Sequence, residues 1–326
     1  MLIDGFQRVH DYLRISLTDN CNLRCNYCMP LDKNDFTAPA KLMQADEVYT
    51  IAKLFTELGI KKIRLTGGEP LIRKDADEII KRLSSLPVEL TLSSNGILAD
   101  KFIDTFQQAG IRSLNISLDT LYAEKFERIT HRNYFNRVHS NIHLLMKENF
   151  HVKVNVVVMR GVNENEIIDF VKWTREFPLH VRFIEFMPFS GNKWNTKEVF
   201  THQEILDLLN TQFDFIKLKD GLHDTTKKFK VIGHEGTFAL ISTMTEPFCS
   251  GCNRLRLTAD GKMKNCLFSK GETDLLSALR SGEDIVPLIL KTVLAKKAER
   301  GGQFMELNSI KDPALIDNRS MVAIGG

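Results

Sequence analysis

With 326 residues, 43% hydrophobic and 26% charged, the chain has an ordinary globular composition and length for one large domain or a domain with an extension. A net charge of +3 without a long basic run argues against a nucleic-acid surface, and "LAKKAER" and "TTKKFK" read as solvated faces. No window approaches the roughly 18 consecutive apolar residues of a membrane span, and the charged opening "MLIDGFQRVHDYLRISL" does not resemble a signal peptide. The expected location is cytoplasmic, where clustered cysteines more often hold metal than form disulfides.

From "LRISL" (13–17) onward, short β-branched runs alternate with amphipathic segments. "ADEVYTIAKLFTELG" repeats Val48, Ile51, Ala52, Phe55 and Leu58 at helical spacing and stops at Gly59. Strand "KKIRLT" (61–66) follows, then helical "KDADEIIKRLSSL", strand "VELTLSS" (88–94), helical "ADKFIDTFQQAG" and strand "RSLNISL" (112–118). Strand "VKVNVVVM" (152–159), helical "NENEIIDFVKWTREF" and strand "VRFIEFM" (181–187) complete the rhythm. Repeated βα units predict a parallel sheet with right-handed crossovers. At about 190 residues the run is short for the usual ~250 of a complete eight-fold barrel. The expected fold is α/β, a partial (βα)6 TIM-like barrel over 1–190 with a C-terminal α+β extension over 191–326.

In that extension, helical "THQEILDLLN" precedes "FDFIKLK", "FKVIG", "TFALIS" and "RLRLTADGKMKNCLF". The last reads as a hairpin turning at Asp260-Gly261. Two helical patterns (273–281 and 283–298) and a polar tail finish the chain. The extension is expected to pack on the barrel. The histidines are assigned no role.

The six cysteines fall into two triplets. Cys21, Cys25 and Cys28 have C-x3-C-x2-C spacing directly after the first strand, at the barrel end where chemistry sits. Cys249, Cys252 and Cys266 have C-x2-C-x13-C spacing. Three thiolates on a short loop suit three corners of an iron–sulfur cluster or three positions of a zinc ion. A structural zinc would need a fourth ligand, which His131 or His202 could supply through folding.

Arg14, Arg64, Lys153 and Arg182 lie on four different predicted strands. Such positions can converge on one barrel interior, where buried charges must be compensated. A triphosphate would neutralise them through forked hydrogen bonds; solvent exposure or carboxylate partners are the alternative.

The flanks of the first triplet add a resemblance. "CNLRCNYCMP", with Tyr27 before its last cysteine, "LTGGEP" (65–70) and "NISLD" (115–119) resemble the radical S-adenosylmethionine (SAM) enzymes. This implies a [4Fe–4S] cluster on Cys21, Cys25 and Cys28 whose open iron chelates SAM. One-electron cleavage of SAM would then release a 5′-deoxyadenosyl radical, which protein side chains alone cannot make. Gly67 and Gly68 are expected to let backbone approach the methionine moiety. Glu69 would orient the amino group of SAM or cap a helix.

"FCSGCNRLRLTADGKMKNCLF", with "LRISLTDNCNLRCNYCMP" and the terminal "NRSMVAIGG", is similar to the molybdenum-cofactor GTP 3′,8-cyclase family along the whole chain. The resemblance implies a second [4Fe–4S] cluster on Cys249, Cys252 and Cys266, contacting guanine. It implies SAM contacts at Tyr27, Gly68, Ser117 and Met187. GTP contacts would fall at Arg14, Arg64, Ser93, Lys153, Arg182, Arg254 and Arg256; Ser93 replaces the usual threonine but keeps its hydroxyl. Arg254, Arg256, Gly325 and Gly326 would assist catalysis, the diglycine tail by entering the site, whereas without the resemblance that tail reads as a frayed terminus. The expected product is (8S)-3′,8-cyclo-7,8-dihydroguanosine 5′-triphosphate. A flavodoxin- or ferredoxin-type electron donor, a downstream cyclic pyranopterin monophosphate synthase and a homodimer are also implied. The rival readings are a radical SAM peptide-modifying maturase and a non-enzymatic protein with two zinc sites.

Overall fold

The computed structural model describes residues 1–29, 36–303, 316 and 318–325. A small antiparallel pair, β1 (Leu2–Ile3) and β2 (Val9–His10), precedes β3 (Tyr12–Ser16). Helix α1 (Ala45–Glu57) leads to β4 (Lys62–Thr66), and α2 (Ala76–Leu83) leads to β5 (Glu89–Ser94). Next come α3 (Ile103–Gln108) and β6 (Ser113–Ser117). Two helices, α4 (Ala123–Thr130) and α5 (Phe135–Lys147), precede β7 (His151–Val158); α6 (Ile167–Trp173) precedes β8 (His180–Glu185). Strands β3 to β8 pair in chain order and are all parallel. The fold is the partial TIM-like barrel that the βα rhythm predicts, its strands lying close to the positions read from the sequence.

Local chemistry explains the well-read helices. In α1 the stripe Val48, Ile51, Ala52 and Phe55 is buried, Gln44 and Glu47 form a capping box, and Gly59 takes the positive φ of 107° that ends it. Helices α4 and α5 were not singled out in the sequence. The buried face of α5 includes Asn141 among Val138, Ile142 and Leu145, which interrupts its apolar stripe. The Asn141 amide instead donates to Gly96 O at 2.7 Å, tying α5 to the end of β5.

The extension comprises α7 (His202–Asn210), β9 (Phe215–Lys217), β10 (Lys227–Val231) and β11 (Thr237–Ile241). It continues through β12 (Arg254–Leu257), β13 (Lys262–Lys264), β14 (Thr273–Asp274), α8 (Leu275–Arg280) and α9 (Val286–Leu294). It does more than pack on the barrel. Strand β11 pairs parallel with β8, and β12 pairs parallel with β3. The main sheet is therefore ordered β14-β13-β12-β3-β4-β5-β6-β7-β8-β11-β10-β9. Six parallel strands alone would leave two unpaired edges; the extension satisfies both. The hairpin forms as expected, pairing Arg256 with Lys264 and Leu257 with Met263, with Gly261 at φ 69° in the turn.

The two faces of the strands differ sharply. Leu13, Ile15, Ile63, Leu65, Leu92, Leu114, Val154 and Val181 are buried with the helices in one apolar core. The alternate positions carry polar and cationic side chains into a central cavity, where a complete TIM barrel would have packed branched residues.

The glycines after β4 admit a close neighbour within the chain itself. A Cβ on Gly67 would stand 2.5 Å from Thr18 O, and one on Gly68 would stand 2.3 Å from Asn20 O. Gly68 N–H donates to Thr18 O at 2.7 Å and Glu69 N–H to Asn20 O at 2.8 Å. The close approach they permit is thus to the segment leading into the first cysteine triplet, although both glycines also line the cavity. Gly68→Ala should destabilise the chain by about 1–3 kcal/mol through this overlap, seen as a lower urea midpoint, and should reduce iron uptake on reconstitution. An unchanged midpoint would mean that the two segments can separate freely.

Candidate active site

The first cysteine loop is held at the C-terminal end of the barrel by its own backbone. Arg24 N–H donates to Thr130 O at 2.9 Å and Asn26 N–H to Ile129 O at 3.1 Å, seating the loop on the end of α4. Cys28 N–H and Met29 N–H both return to Cys25 O, folding the three thiols around one turn. All six cysteines are free thiols of intermediate exposure. Burial pushes the Cys25 thiol well up, with Asp119, Cys28 and Cys21 adding to the effect. Among the described residues no three His, Cys, Asp or Glu side chains are grouped to hold a single metal ion.

Side-chain hydrogen bonds support this loop. The Tyr27 hydroxyl donates to Asp119 Oδ2 at 2.7 Å, and Val157 N–H donates to Asp119 Oδ1 at 2.9 Å. Burial raises the Asp119 carboxyl to about 6 against these bonds. Glu69 is fully buried and accepts from Leu71 N–H at 3.0 Å, Ser94 Oγ–H at 2.9 Å and Asn95 N–H at 2.6 Å. Its carboxylate caps the short helix after β4, one of its two expected roles, and pins the end of β5. Asn95 then reaches Asn22 Oδ1 at 2.6 Å and lies 3.8 Å from Cys21 Sγ. Asp119 belongs to the quoted "NISLD", so a signal for it was present; Glu69 to Asn95 needed the fold.

The second triplet approaches the same cavity from the extension. Glu185, at the end of β8, accepts from Met244 N–H at 2.8 Å and Thr245 N–H at 3.0 Å, fixing the segment that leads to Cys249. From the other side Arg8 Nη1 donates to Cys249 O at 2.8 Å while Arg8 Nε pairs with Asp4 at 2.6 Å. Burial pushes the Cys252 thiol up, but Arg254 and Lys296 outweigh it and bring it down to about 6. Lys296 Nζ lies 3.5 Å from Cys252 Sγ and donates to Arg254 O at 2.9 Å.

Both triplets open on one cavity of about 570 Å³, within the range of small-molecule sites. Its lining includes Cys21, Cys25, Cys28, Cys249, Cys252 and Cys266, and also Tyr27, Gly68, Ser117 and Met187. Arg14, Arg64, Ser93, Lys153, Arg182, Arg254 and Arg256 line it too. Sheet register sets the cations in rows. Arg256, Arg14 and Arg64 are paired neighbours across β12, β3 and β4. Ser93, Asn115, Lys153 and His180 form a row across β5 to β8, and Ser117, Asn155 and Arg182 form another.

Their electrostatics shows a surplus of positive charge. Burial and the neighbouring cations draw Arg182 down to about 9 and Lys153 to about 8. Burial draws Arg14 down to about 10, opposed by Tyr12. Burial pushes the Tyr12 hydroxyl up, yet Arg64 and Arg14 overcome it and bring it to about 8. The Tyr12 hydroxyl accepts a bond from Arg64 Nε, a partnership readable only once i, i+2 alternation puts Tyr12 and Arg14 on one face. The carboxylates among the described lining residues are Asp119, engaged by Tyr27, and Asp224, 2.5 Å from Lys228. Arg182 Nε and Nη2, Asn115 Oδ1 and Asn155 Oδ1 are buried without a hydrogen-bond partner among the described residues. An anion bearing several oxygens and a hydroxylated ligand would satisfy this set.

The tail reaches the same place. Arg256 Nη1 donates to Gly325 O at 2.8 Å, and Arg14 Nη2 lies 3.4 Å from that oxygen. A Cβ on Gly325 would stand 3.0 Å from Thr66 Cγ2 and 3.1 Å from Ser16 Cβ. Gly325 is therefore docked, not frayed; Gly326 lies outside the described residues.

Comparison with known proteins matches residues 15–174 to the radical SAM superfamily and residues 179–302 to the family described as Molybdenum Cofactor Synthesis C. Over 333 aligned residues the chain is 46% identical to the mitochondrial GTP 3′,8-cyclase of Arabidopsis thaliana, covering 100% of this chain and 84% of that protein. The chain belongs to the GTP 3′,8-cyclase family. It is also 46% identical to molybdenum cofactor biosynthesis protein 1 of Mus musculus, spanning 99% of this chain and 51% of that protein, about half of its length. The fold is similar to that of Streptococcus suis SuiB bound to S-adenosylmethionine, with a TM-score of 0.61 at 13% identity over 83% of this chain and 65% of that one.

As a radical SAM protein of the GTP 3′,8-cyclase family, the chain uses SAM with an iron–sulfur cluster. The first triplet fits that group: three thiols on one loop, half-buried at the rim of a cavity, with no disulfide to consume them. Two histidines assigned no role, His180 and His223, also line the cavity. His139 and His143 form an i, i+4 pair on α5, a spacing the sequence reading overlooked, and His139 stacks on Trp173 away from the cavity lining.

The surplus of positive charge makes a specific forecast. Inorganic triphosphate at pH 7 should raise the thermal midpoint by neutralising the cations. Lys153 is protonated below about 8 and loses its charge as pH rises through that value. The stabilisation should therefore shrink from pH 7 to pH 9, measured by scanning fluorimetry, and the slope should flatten in Lys153→Met. A triphosphate effect independent of pH would place Lys153 beyond its reach.

Proposed function

We propose that this chain binds GTP and SAM together in the central cavity and catalyses the 3′,8-cyclisation of GTP that opens molybdenum cofactor biosynthesis. The observation that carries this reading is the opening of both cysteine triplets and the cation rows onto one cavity. Both triplets border the one space in which a small molecule would sit.

When bound at Cys21, Cys25 and Cys28, the cluster and SAM would supply a carbon radical able to take a hydrogen from ribose. The chain's own residues position and shield the reactants. Tyr27, Gly68, Ser117 and Met187 surround SAM, with Asp119 fixing the Tyr27 ring. Arg14, Arg64, Lys153 and Arg182 take the triphosphate, and Ser93, 3.3 Å from both Arg64 Nη1 and Asn115 Nδ2, supplies a hydroxyl between them. Arg254 and Arg256 stand beside the second triplet, which would hold a second cluster near guanine. Gly325 delivers its backbone to the arginines without a side chain that Thr66 and Ser16 would exclude. Burial keeps water from the reacting carbon.

The same reading includes a flavodoxin- or ferredoxin-type electron donor, a downstream cyclic pyranopterin monophosphate synthase, a homodimer and a cytoplasmic location. It divides the chain into a barrel core at 1–190 and an extension at 191–326. No helix among the described residues is long and apolar enough to cross a membrane.

Anaerobic reconstitution followed by iron and sulfide analysis tests the clusters, and each triplet changed to alanine should lose its own share of iron. With SAM, reductant and GTP, the chain should release 5′-deoxyadenosine in a GTP-dependent manner together with the cyclised nucleotide. A colourless, zinc-loaded protein, or 5′-deoxyadenosine formed equally without GTP, would overturn the proposal. Arg182→Ala should weaken GTP binding ten- to a hundred-fold, the equivalent of about 1.5–3 kcal/mol for a charge-assisted bond, while iron content stays at the parent level.

A further inference from the structure

The C-terminal tail is attached at more than its tip. Arg319 lies six residues before Gly325 and forms a fork with Asp260: Nη1 donates to Oδ1 and Nη2 to Oδ2, both at 2.9 Å. Arg319 Nη2 also donates to Glu272 Oε2 at 2.5 Å. Two further cations join the group: Lys264, 1% exposed, stands 3.6 Å from Glu272 and donates to Ser269 O at 2.6 Å, and Lys262 lies 3.9 Å from Asp260. Burial pushes the Asp260 carboxyl up, but Arg319 and Thr258 overcome it and hold it below its usual range. Next to Arg319, the Asn318 amide donates to Leu267 O at 2.8 Å.

The position of Asp260 gives this contact its meaning. It forms the turn of the β12–β13 hairpin, and Thr258 Oγ–H donates to Asp260 Oδ1 at 2.7 Å, stiffening that turn. The same hairpin carries Arg254 and Arg256 on β12, and Cys266 follows β13. The tail is therefore latched at one end of a rigid element whose other end receives Gly325 O on Arg256. Between the two anchors Val322 and Ile324 are buried, and Ile324 packs among Met187, Phe189 and Phe268.

Apolar burial can hold the tail down but tolerates slippage along the chain. A forked arginine–carboxylate pair has one geometry and fixes register. Because Met321–Ala323 is a turn of 3-10 helix, a one-residue slip would displace Gly325 by about 2 Å, enough to break its bond to Arg256.

We propose that Arg319 is a positioning residue: by docking in two-pronged fashion on the Asp260 turn, and on Glu272, it sets the register in which the C-terminal tail presents Gly325 to Arg256. Its influence on catalysis rests on the cyclase reading above; its influence on the tail does not. Arg319 is not among the described residues that line the central cavity.

The test uses the reconstituted 326-residue chain. Hydrogen exchange by mass spectrometry follows a C-terminal peptide containing Ala323 and Ile324, whose N–H groups are held by Ser320 O at 3.0 Å and Met321 O at 3.2 Å. In Arg319→Ala this peptide should exchange at least tenfold faster, with iron content and the thermal midpoint near the parent values. GTP-dependent cyclised product should fall at least tenfold while 5′-deoxyadenosine release persists. Arg319→Lys, which keeps the charge but loses the fork, should be intermediate in both readouts. The exchanged pair Arg319→Asp with Asp260→Arg should regain part of the tail protection lost in either single variant. Parent-like exchange in Arg319→Ala would overturn the latch. Faster exchange in a chain whose parent forms no cyclised product would uphold the latch and reject the cyclase reading.

Discussion

Burying several arginines and a lysine around one cavity is the constraint on which the rest of the molecule depends. A cation taken from water into a protein interior is costly unless opposite charge meets it. Here β3, β4, β7, β8 and β12 each turn cations inward, while the described carboxylates at the cavity are already engaged by Tyr27 and Lys228. Burial first, and then the neighbouring cations, lower the proton affinities of Lys153, Arg182 and Arg14. The described lining residues thus carry more positive than negative charge, a setting suited to anionic oxygen. The outer face of the same strands supports it, since leucine, isoleucine and valine sealed beneath the helices supply the stability that the inner face forgoes.

The extension makes that arrangement possible. A six-stranded parallel sheet could carry Arg14, Arg64, Lys153 and Arg182, but its open edges would face solvent. By pairing β12 with β3 and β11 with β8, the extension satisfies both edges and brings Arg254 and Arg256 into register with Tyr12 and Arg14. The second cysteine triplet flanks the same hairpin, Cys249 and Cys252 before β12 and Cys266 after β13. Arginines and tail contacts at this end are consequently parts of one short element, with the cysteines at its borders.

Support for the two cysteine triplets comes from unlike sources. The first rests on backbone bonds to α4 and on a buried carboxylate relay from Glu69 through Asn95. The second is clamped between Glu185 of the barrel and Arg8 of the N-terminal hairpin, with Arg254 and Lys296 supplying positive charge at Cys252. Positive charge beside a thiolate favours its ionised form, the form that ligates metal.

Periodicity and short-range spacing were legible without the fold. Alternation in "YLRIS", "KIRLT" and "HVKVNVVV" determined strands with one apolar and one polar face, because side chains on a strand repeat every two residues. The cysteine spacings, the glycine pair after β4 and the Asp260-Gly261 turn were also local matters, fixed by residues near in sequence. Which edges β11 and β12 would occupy, that Arg14, Arg64 and Arg256 would stand side by side, that Glu69 would serve β5, and that Arg319 would find Asp260 were decided only by tertiary structure. Those relations join residues tens to hundreds of positions apart, and sheet register and crossover geometry, absent from any local pattern, bring them within hydrogen-bonding distance.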